Sequence, residues 1–456
     1  MSENKLFSDF QSISTKQWKQ QIQFDLKGAD YNETLVWESL EGIKVKPFYN
    51  NDDIATIDYQ IKLPKKEFTI LQNIYVFDVL KSNARATETL NRGAQSVRFT
   101  IATESVSITD LMQQLPLQDT RYYFILLFFS IDFVSKLHDF AIANKAHFKV
   151  QIDPIHHLIS HGNWFENSEK DFEKLNFCST NFPQIVTLSC NIGLYQNAGA
   201  NHVQQLAYAL AHANEYFNSA VKSTQPLTFE IAVGTNYFFE IAKIRALRLL
   251  FAALADQYGY TTDCQIIAMP TKRNKTIYDY NTNMLRTTTE CMAAILGGAD
   301  AIANLSYDHL YHKDNEFGDR IARNQLLILK EESYFDKVRN PADGAYYIES
   351  LTEQLAEKAL VLFKEIEAKG GFISQLMTGS IQKKIQESAT KEQDLFNSGK
   401  EVLLGTNKHP NKKDKMKHDL ELYPFLKQKT KKTILYPIEE IRLSEKLEQE
   451  RLATEQ

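Results

Sequence analysis

The chain has 456 residues, of which 43% are hydrophobic and 24% are charged, proportions typical of an ordinary globular protein with a sizeable core. Its net charge of −5 argues against a nucleic-acid-binding protein, because phosphate contacts require concentrated positive charge. No stretch offers about 18 uncharged apolar residues, and the N-terminal residues lack the apolar core of a signal peptide, so neither a membrane span nor a secretory leader is expected.

The cysteine content points to a reducing compartment. Cys178, Cys190, Cys264 and Cys291 show no CxxC pair and no spacing typical of metal ligands, and two of them lie inside apolar runs. We therefore expect reduced, buried thiols in a cytoplasmic protein.

Residues 1–90 show no repeating pattern of strands and helices, and we expect them to form an arm that packs on another surface. From about residue 93 onward, apolar strand-like runs recur at regular intervals, with helical patterns between most of them. These runs are Ser96–Ala102, Tyr122–Phe129, His147–Asp153, Ile185–Cys190, Leu227–Val233, Cys264–Met269 and Ala299–Leu305. An eighth strand is predicted near Tyr346–Glu349. Seven or eight such units favour a (β/α)8 barrel over a doubly wound sheet, although composition leaves both open.

The stretch from Leu227 to Leu305 carries the clearest signal. Leu227–Val233 has the length and composition of a buried strand, and residues 234–236 supply a turn and a helix cap. From Tyr237 onward, apolar residues recur at spacings of three and four, which predicts one buried face of a helix. Gly297 and Gly298 are expected to end a second helix, because glycine tolerates the left-handed geometry of a C-terminal cap.

Beyond Leu351 the chain reads as helical and charged. We expect the barrel to occupy residues 91–380 and a helical, lysine-rich extension to occupy residues 381–456. Residues 408–432 carry nine lysines. A solvated tail or linker is favoured over a nucleic-acid-binding or membrane-binding surface, since it is the commoner role of such runs.

Four ordered blocks of the chain resemble signatures of the methylmalonyl-CoA mutase family. They are GTNYFFEIAKIRA at 234–246, NMLRTTTE continuing to GGAD at 283–300, RIARN followed by EES at 320–333, and NPADG with YYIE at 340–349. Glu41–Tyr49 also resembles an N-terminal element of that family. The resemblance implies a (β/α)8 barrel and an arm that wraps a partner subunit, and it therefore implies a dimer.

The catalytic members that these blocks resemble rearrange a carbon skeleton with adenosylcobalamin, which supplies the radical. Their cobalt ligand is a histidine in a D-x-H-x-x-G motif on a separate flavodoxin-like domain. None of the eleven histidines in this chain has an aspartate two places before it, and the sequence ends before that domain would begin. The expectation is that this chain has no flavodoxin-like domain, that it binds no cofactor, and that the partner subunit holds adenosylcobalamin.

The acid near the substrate carbonyl in active subunits is a histidine that follows a tyrosine after the fourth strand. Aligned on Ala198–Ala200, those two positions fall here on Gly193 and Leu194. A one-residue gap could place Tyr195 on the tyrosine instead, and His202 is the next histidine. Because leucine can neither donate nor accept a proton, the resemblance implies that this chain has no catalytic residue.

Two further loops bear on ligand binding. The loop that binds CoA in active members is rich in serine, threonine and glycine, whereas here it reads as the shorter, basic segment Pro270–Thr276. It could meet a CoA phosphate, although a solvated loop is favoured. Asp153, His156, His157 and His161 have a spacing that zinc and iron sites use. A solvated cluster is favoured there, and no metal site is predicted.

Charged residues inside the matched helices, Glu240 and Arg286 among them, are interpreted as structural ion pairs at the barrel rim. The leading hypothesis is a small, non-catalytic subunit of a heterodimeric methylmalonyl-CoA mutase, with acyl-CoA bound by the large subunit. One alternative is a catalytic barrel of a related acyl-CoA mutase whose cobalamin domain is a separate chain. Another is a stand-alone CoA-ester-binding barrel.

Overall fold

A closed barrel of eight parallel strands forms the centre of the protein. The computed structural model describes residues 11, 13–55, 57, 59–64, 67–219, 221, 224–427 and 432–455. The barrel strands are β3 (Thr69–Val76), β4 (Ser96–Ile101), β5 (Arg121–Leu126), β6 (His147–Ile152), β7 (Val186–Asn191), β8 (Thr228–Val233), β9 (Gln265–Pro270) and β10 (Ala301–Ile302). Each strand pairs with the next along the chain, and β10 closes the barrel on β3.

Helices surround the barrel and extend it at both ends. They are α1 (Thr15–Asp25), α2 (Tyr31–Leu35), α3 (Val79–Asn91), α4 (Ile108–Leu111), α5 (Ile131–Asn144), α6 (Pro154–His161), α7 (Ser168–Asn181), α8 (Gly193–Asn197), α9 (His202–Asn218), α10 (Tyr237–Gln257), α11 (Thr282–Gly297), α12 (Glu316–Leu327), α13 (Tyr346–Ala368), α14 (Phe372–Met377), α15 (Ser380–Asn397) and α16 (Glu445–Thr454). Asn51–Asp53 forms a 3₁₀ turn and Ile328–Glu332 a π-helical turn. None of the helices in the described ranges is long and apolar enough to span a membrane.

The barrel confirms the predicted fold class and the seven predicted strands, with one correction. Tyr346–Glu349 begins α13, so the prediction of a strand there is wrong. Its apolar residues recur with the helical period, which buries Ile348, Leu355 and Ala359 on one face. The eighth strand is β3, which lies inside the range predicted for the N-terminal arm. No strand–helix unit precedes β3 in the chain. The repeating pattern that revealed the other barrel strands is therefore missing before β3.

The arm before the barrel contains α1, α2 and an antiparallel hairpin of β1 (Trp37–Glu38) and β2 (Lys44–Val45). A capping box of Ser14 and Gln17 begins α1, yet none of the residues of this helix is buried. Ile43, which follows the turn of the hairpin, is buried in the main core and anchors the arm to the barrel.

Strand alternation divides the core into two parts. On β8, Phe229, Ile231 and Val233 face the helices and join the main core. Thr228 and Glu230, which alternate with them, face the barrel axis. All six residues of β8 are therefore buried, which explains why this run reads as a continuously buried segment in the sequence.

The C-terminal region folds back on the barrel. Within the C-terminal region that was predicted to be helical, α15 and α16 are helices. The described residues between 398 and 444 form no helix and no strand. Residues 432–443, which we call the roof segment, cross the carboxyl ends of several barrel strands. Their backbone N–H groups donate to the carbonyls of Ile159, Gly162, Asn197 and Arg273 at 2.9–3.3 Å. The segment is thus attached to loops that follow β6, β7 and β9.

Gly199, in the loop after α8, shows how tightly this end of the barrel is packed. It has φ +98°, and a Cβ built on it would lie 2.5 Å from the Cβ of Ala389. We expect Gly199→Ala to lower the free energy of unfolding by about 2–4 kcal/mol, because a strained backbone and overpacking add together. Gly259→Ala is the matched control, since Gly259 has φ +64° with nothing within 4 Å, and it should cost only about 1 kcal/mol. Equal urea unfolding curves for the two variants would contradict this packing account.

Candidate active site at the barrel mouth

The carboxyl ends of the barrel strands open into a cavity of about 670 Å³ beneath the roof segment. This is the end of a (β/α)8 barrel at which active sites are found. Gly193 and Leu194 line the cavity on one side, Lys272 lines it on another, and Arg98 and Glu230 line it from within the barrel.

The loop after β7 brings Gly193 and Leu194 to this mouth. Gly193 begins α8 where a Cβ would lie 3.2 Å from the backbone nitrogen of Ala232, so a larger residue would crowd β8. Leu194 is buried in the main core. Neither side chain can hold a proton, so this stretch of the mouth offers no general acid.

Tyr195 points away from the mouth, although a gapped alignment would give it the position of the catalytic tyrosine. Its hydroxyl lies 3.1 Å from Nδ1 of His212, and Nε2 of His212 lies 2.9 Å from the Asp153 carboxylate. Tyr216 also donates to Asp153, at 2.7 Å. Burial alone would raise the pKa of Asp153, but His212 outweighs it and lowers the pKa. This buried chain of hydrogen bonds ties α6 to α8 and α9 and is structural.

His202 lies in the first turn of α9, as predicted, but it does not face the mouth. Its Nδ1 is 2.6 Å from Glu41 of the arm, and its Nε2 is 3.3 Å from Glu240 on α10. Glu240 also pairs with Lys243 at 2.5 Å. These four side chains, which we call the arm clamp, are almost completely buried. The predicted ion pair of Glu240 therefore exists, but its partners are His202 and Lys243, whereas Arg286 donates to Asn283, Thr276 and the Leu404 carbonyl.

The arm clamp fixes the charge of each of its members. Burial alone would lower the pKa of His202, but the carboxylates of Glu41 and Glu240 outweigh it and raise the pKa to about 9. Burial alone would raise the pKa of each glutamate. For Glu41 the charge of His202 dominates, and for Glu240 the charges of Lys243 and His202 dominate, so both pKa values fall to about 2. The histidine is protonated at neutral pH and held by two carboxylates.

The loop after β9 is mostly buried, with Lys272 alone partly exposed, and its three cations are each paired with a carboxylate. Lys272 pairs with Glu440 of the roof segment at 2.9 Å, and Arg273 pairs with Glu392 of α15 at 2.5 Å. Lys275 pairs with Glu290 of α11 at 2.7 Å, and both side chains are buried. The prediction of a solvated loop is wrong, because carboxylates from three distant segments neutralise its cations.

The histidines near Asp153 are not gathered around a common point. Asp153 caps α6 by accepting from the backbone N–H of His156 at 2.7 Å. The ring of His157 stacks on His161 and on Phe165, with centroids 4.3 and 3.7 Å away. Burial first, and then the neighbouring His161, lowers the pKa of His157 to about 4. Among the residues that the structure describes, no group of three or more His, Cys, Asp or Glu is arranged to hold a metal ion.

The residues present at the mouth do not fit a cobalamin. A corrin ring needs an open, flat face above the strand ends, and here the roof segment crosses that face. Asn197 donates to the Glu440 carboxylate at 2.9 Å, and Arg273 donates to the Ile441 carbonyl at 2.7 Å. These two polar side chains are thus bonded to the roof segment.

An ion pair inside the barrel was not foreseen from the sequence. Arg98 of β4 lies 2.9 Å from Glu230 of β8, and its Nε donates to Asn73 at 2.8 Å. The sequence did hold a signal, since each of these strands carries one charged residue in the middle of an otherwise apolar or small run. Such a residue in a strand buried on both faces needs a partner within the barrel.

The arm clamp predicts a specific dependence of stability on pH. Because the folded-state pKa of His202 is raised from 6.5 to about 9, its stabilising effect is complete below about pH 6.5 and is lost as the pH rises through 9. We expect His202→Gln to lower the free energy of unfolding on the order of 3 kcal/mol near neutral pH, with a difference from wild type that shrinks above pH 9. Urea unfolding at a series of pH values measures this.

His138→Gln is the control for that experiment, since His138 lies beside the exposed Asp139 on α5. The free energy of unfolding of this control variant should change with pH in the same way as that of the wild type. A difference between His202→Gln and wild type that stays constant from neutral pH to above pH 9 would rule out the arm clamp as the cause.

Comparison with known proteins places the chain in a family. The family model described as methylmalonyl-CoA mutase matches residues 136–453. The chain is 34% identical over 446 residues to the methylmalonyl-CoA mutase small subunit of Porphyromonas gingivalis, a match that covers 89% of this chain and 71% of that protein. It is 29% identical to the methylmalonyl-CoA mutase of Cereibacter sphaeroides, over 86% of this chain and 64% of that protein.

A shorter match concerns a second protein of the same organism. The methylmalonyl-CoA mutase large subunit of Porphyromonas gingivalis is 33% identical over 245 residues, which cover 51% of this chain and 34% of that protein. The chain thus spans from about one third to about seven tenths of these relatives' lengths. Its closed barrel and its matched blocks, taken with these identities, show that the chain belongs to the methylmalonyl-CoA mutase family.

Proposed function

We propose that this chain is the small, non-catalytic subunit of a heterodimeric methylmalonyl-CoA mutase. The holoenzyme would interconvert succinyl-CoA and methylmalonyl-CoA, and the large subunit would bind both the acyl-CoA and the adenosylcobalamin. The similarity to a protein named as a small subunit supports this, as does the large-subunit relative from the same organism.

The observation that carries the proposal is the chemistry of the barrel mouth. The two positions expected to hold the catalytic tyrosine and histidine are Gly193 and Leu194, and both line the cavity. The nearest alternatives, Tyr195 and His202, are buried and bonded to other side chains. A general acid must reach the reacting group within hydrogen-bond distance, and none of these four residues can do so from the mouth.

The barrel mouth also supports the assignment of adenosylcobalamin to the large subunit. Adenosylcobalamin, when bound, supplies the radical that starts the rearrangement. The roof segment bonds to the loops after β6, β7 and β9, and it leaves no open face for a corrin ring. We therefore assign the cofactor to the partner and derive no catalytic step on this chain.

The four cysteines, all buried and without a disulfide, are consistent with a cytoplasmic protein.

The arm is the element that we propose wraps the large subunit. Its helix α1 has 11 residues and no buried side chain, and an isolated helix of that length is marginal in water. Phe24 is 79% exposed and Trp18 is 53% exposed on this helix. Exposed aromatic residues on a short helix suit a surface that a partner covers.

Two other functions are disfavoured by the mouth. A catalytic barrel with its cobalamin domain on a separate chain would need a proton donor at the positions of Gly193 and Leu194, which cannot supply one, and an open face above the strands. A stand-alone CoA-ester-binding barrel would need cations free to meet the CoA phosphates, and Lys272, Arg273 and Lys275 are each paired with a carboxylate.

Purification tests the proposal directly. Alone, the chain should show no mutase activity and no cobalamin absorbance. Co-expressed with the large subunit, it should form a 1:1 complex by mass measurement, and the complex should turn over succinyl-CoA. Turnover by this chain supplemented only with an isolated cobalamin domain would establish the catalytic alternative instead.

A surface variant tests the role of the arm. Phe24→Ser should weaken the complex with the large subunit roughly tenfold, because it removes an exposed aromatic side chain without opening the core. Ile142→Ser is the matched control, since Ile142 is 57% exposed on α5, away from the arm. Equal affinities of the two variants, measured by calorimetry, would argue against wrapping by the arm.

A further inference from the structure

A second cavity, of about 580 Å³, lies between helix α16 and the segment at residues 405–415. We call it the C-terminal cavity. None of the described residues that line it also lines the cavity at the barrel mouth, so the two cavities are distinct. The lysine-rich run at 408–432 begins along its wall and contributes Lys412 and Lys415. Its volume lies within the range of cavities that hold small organic ligands, about 300–1,000 Å³.

Three cations line the C-terminal cavity without a carboxylate partner. They are Lys412 and Lys415, which are exposed, and Arg451 in the last turn of α16. In the part of the chain that the structure describes, no Asp or Glu oxygen lies within 4.0 Å of their charged nitrogens. The cations of the loop after β9 are, by contrast, each paired with a carboxylate. The positive charge at this cavity is therefore available to a ligand.

Arg451 is held in one orientation. Its guanidinium lies over the ring of Tyr278, 3.7 Å from the centroid. Its Nη2 donates to the backbone carbonyls of Asn411 and Asp414, at 2.7 Å in both cases. Both bonds use Nη2, so the N–H groups on Nε and Nη1 remain for a ligand. A charged donor that is already fixed loses little conformational entropy when it binds.

Two carboxylates also line the C-terminal cavity, but both are bonded within the chain. Glu455 accepts from the backbone N–H groups of Met416 and Lys417, at 2.9 and 2.8 Å. Asp414 accepts from the backbone N–H of Asp279 at 3.1 Å. Because three cations and two carboxylates line the cavity, its net charge is positive, which favours an anionic ligand.

A buried hydroxyl group at the same cavity lacks a partner. Thr406 lines the cavity and is only 5% exposed, and its Oγ1 makes no hydrogen bond to the described residues. Native proteins retain few buried polar groups of this kind. The hydroxyl therefore indicates an acceptor that the chain itself does not supply.

We propose that the C-terminal cavity binds the phosphate group of a small molecule. A phosphate dianion offers two negative charges and several acceptor oxygens, which suits a cavity lined by three cations and an unpartnered hydroxyl. A carboxylate has one charge and two oxygens, and would leave more of these donors unused. The inference goes beyond the proposed function and does not depend on it, because the cavity lies apart from the barrel mouth.

The phosphate could be inorganic phosphate or part of an organic phosphate ester. Both share the group that the cations would contact. Pro410 and Leu447 also line the cavity, and they give an organic portion apolar surface to contact. A titration with each kind of phosphate distinguishes the two sources.

The experiment is calorimetric titration of the whole chain at constant ionic strength and about pH 8, where phosphate is a dianion. The probes, in separate runs, are inorganic phosphate, glycerol 3-phosphate and acetate. We expect saturable binding of both phosphates. Acetate should bind roughly tenfold more weakly or not at all, because it carries half the charge.

A pair of lysine substitutions tests the site. Lys412→Gln/Lys415→Gln should weaken the binding of phosphate roughly tenfold, and it should leave the fold intact because both side chains are exposed. Lys364→Gln/Lys369→Gln is the matched control. These two lysines are exposed on or next to α13, away from the cavity, and have no ion-pair partner among the described residues. The control changes the net charge equally and should bind phosphate as the wild type does.

Arg451→Lys separates a fixed guanidinium from a positive charge alone. It keeps the charge but removes the planar group that lies over Tyr278, so phosphate should bind several-fold more weakly. Urea unfolding shows whether this variant is folded, and the lysine pair tests the proposal if it is not.

Tighter binding of glycerol 3-phosphate than of inorganic phosphate would support an organic ligand, and equal binding would support recognition of the phosphate group alone. Absence of saturable binding of both phosphates by the wild type would overturn the proposal. Acetate that binds as tightly as phosphate would overturn it, as would equal affinities of the two lysine pairs. None of these results bears on the subunit assignment, which is tested by complex formation and mutase activity.

Discussion

The strands of the barrel must be buried on both faces, and the rest of the structure depends on how that constraint is met. On the outer face, aliphatic and aromatic side chains pack beneath the helices in one continuous core. On the inner face, an apolar cluster that includes Tyr123 and Ile267 lies beside buried polar and charged side chains, and a buried charge there needs a partner within the barrel. Arg98 and Glu230 meet this requirement because closure of the sheet sets β4 and β8 opposite each other.

The cations of the loop after β9 also have partners within the chain. A binding site holds polar groups ready for a ligand, whereas Lys272, Arg273 and Lys275 are each bonded to a carboxylate of this chain. Two of those carboxylates, Glu392 and Glu440, come from segments beyond the barrel. The C-terminal region therefore supplies partners for cations of this loop, and it does so without changing the packing of the barrel, since a fold and its site depend on different residues.

The arm is joined to the barrel by charge and by apolar packing. Glu41 reaches His202, and His202 in turn reaches Glu240, which also holds Lys243. A buried ion pair of this kind stabilises a protein little more than well-packed apolar residues would, but removal of one partner leaves a buried, unpaired charge and is strongly destabilising. The arm clamp therefore specifies one position of the hairpin on the barrel.

The sequence by itself determined the fold class, seven of the eight barrel strands and the family. Strands and helices follow from apolar periodicity within about ten residues, and Gly298 ends α11 in the left-handed conformation that the glycine pair predicted. The first barrel strand, β3, was not predicted from the sequence because no strand–helix unit precedes it. Tertiary structure alone decided that the basic loop is neutralised, that His202 is clamped and that Arg98 faces Glu230. Those outcomes depend on partners more than thirty residues away in most cases, and only closure of the barrel and folding back of the C-terminal region bring such partners together.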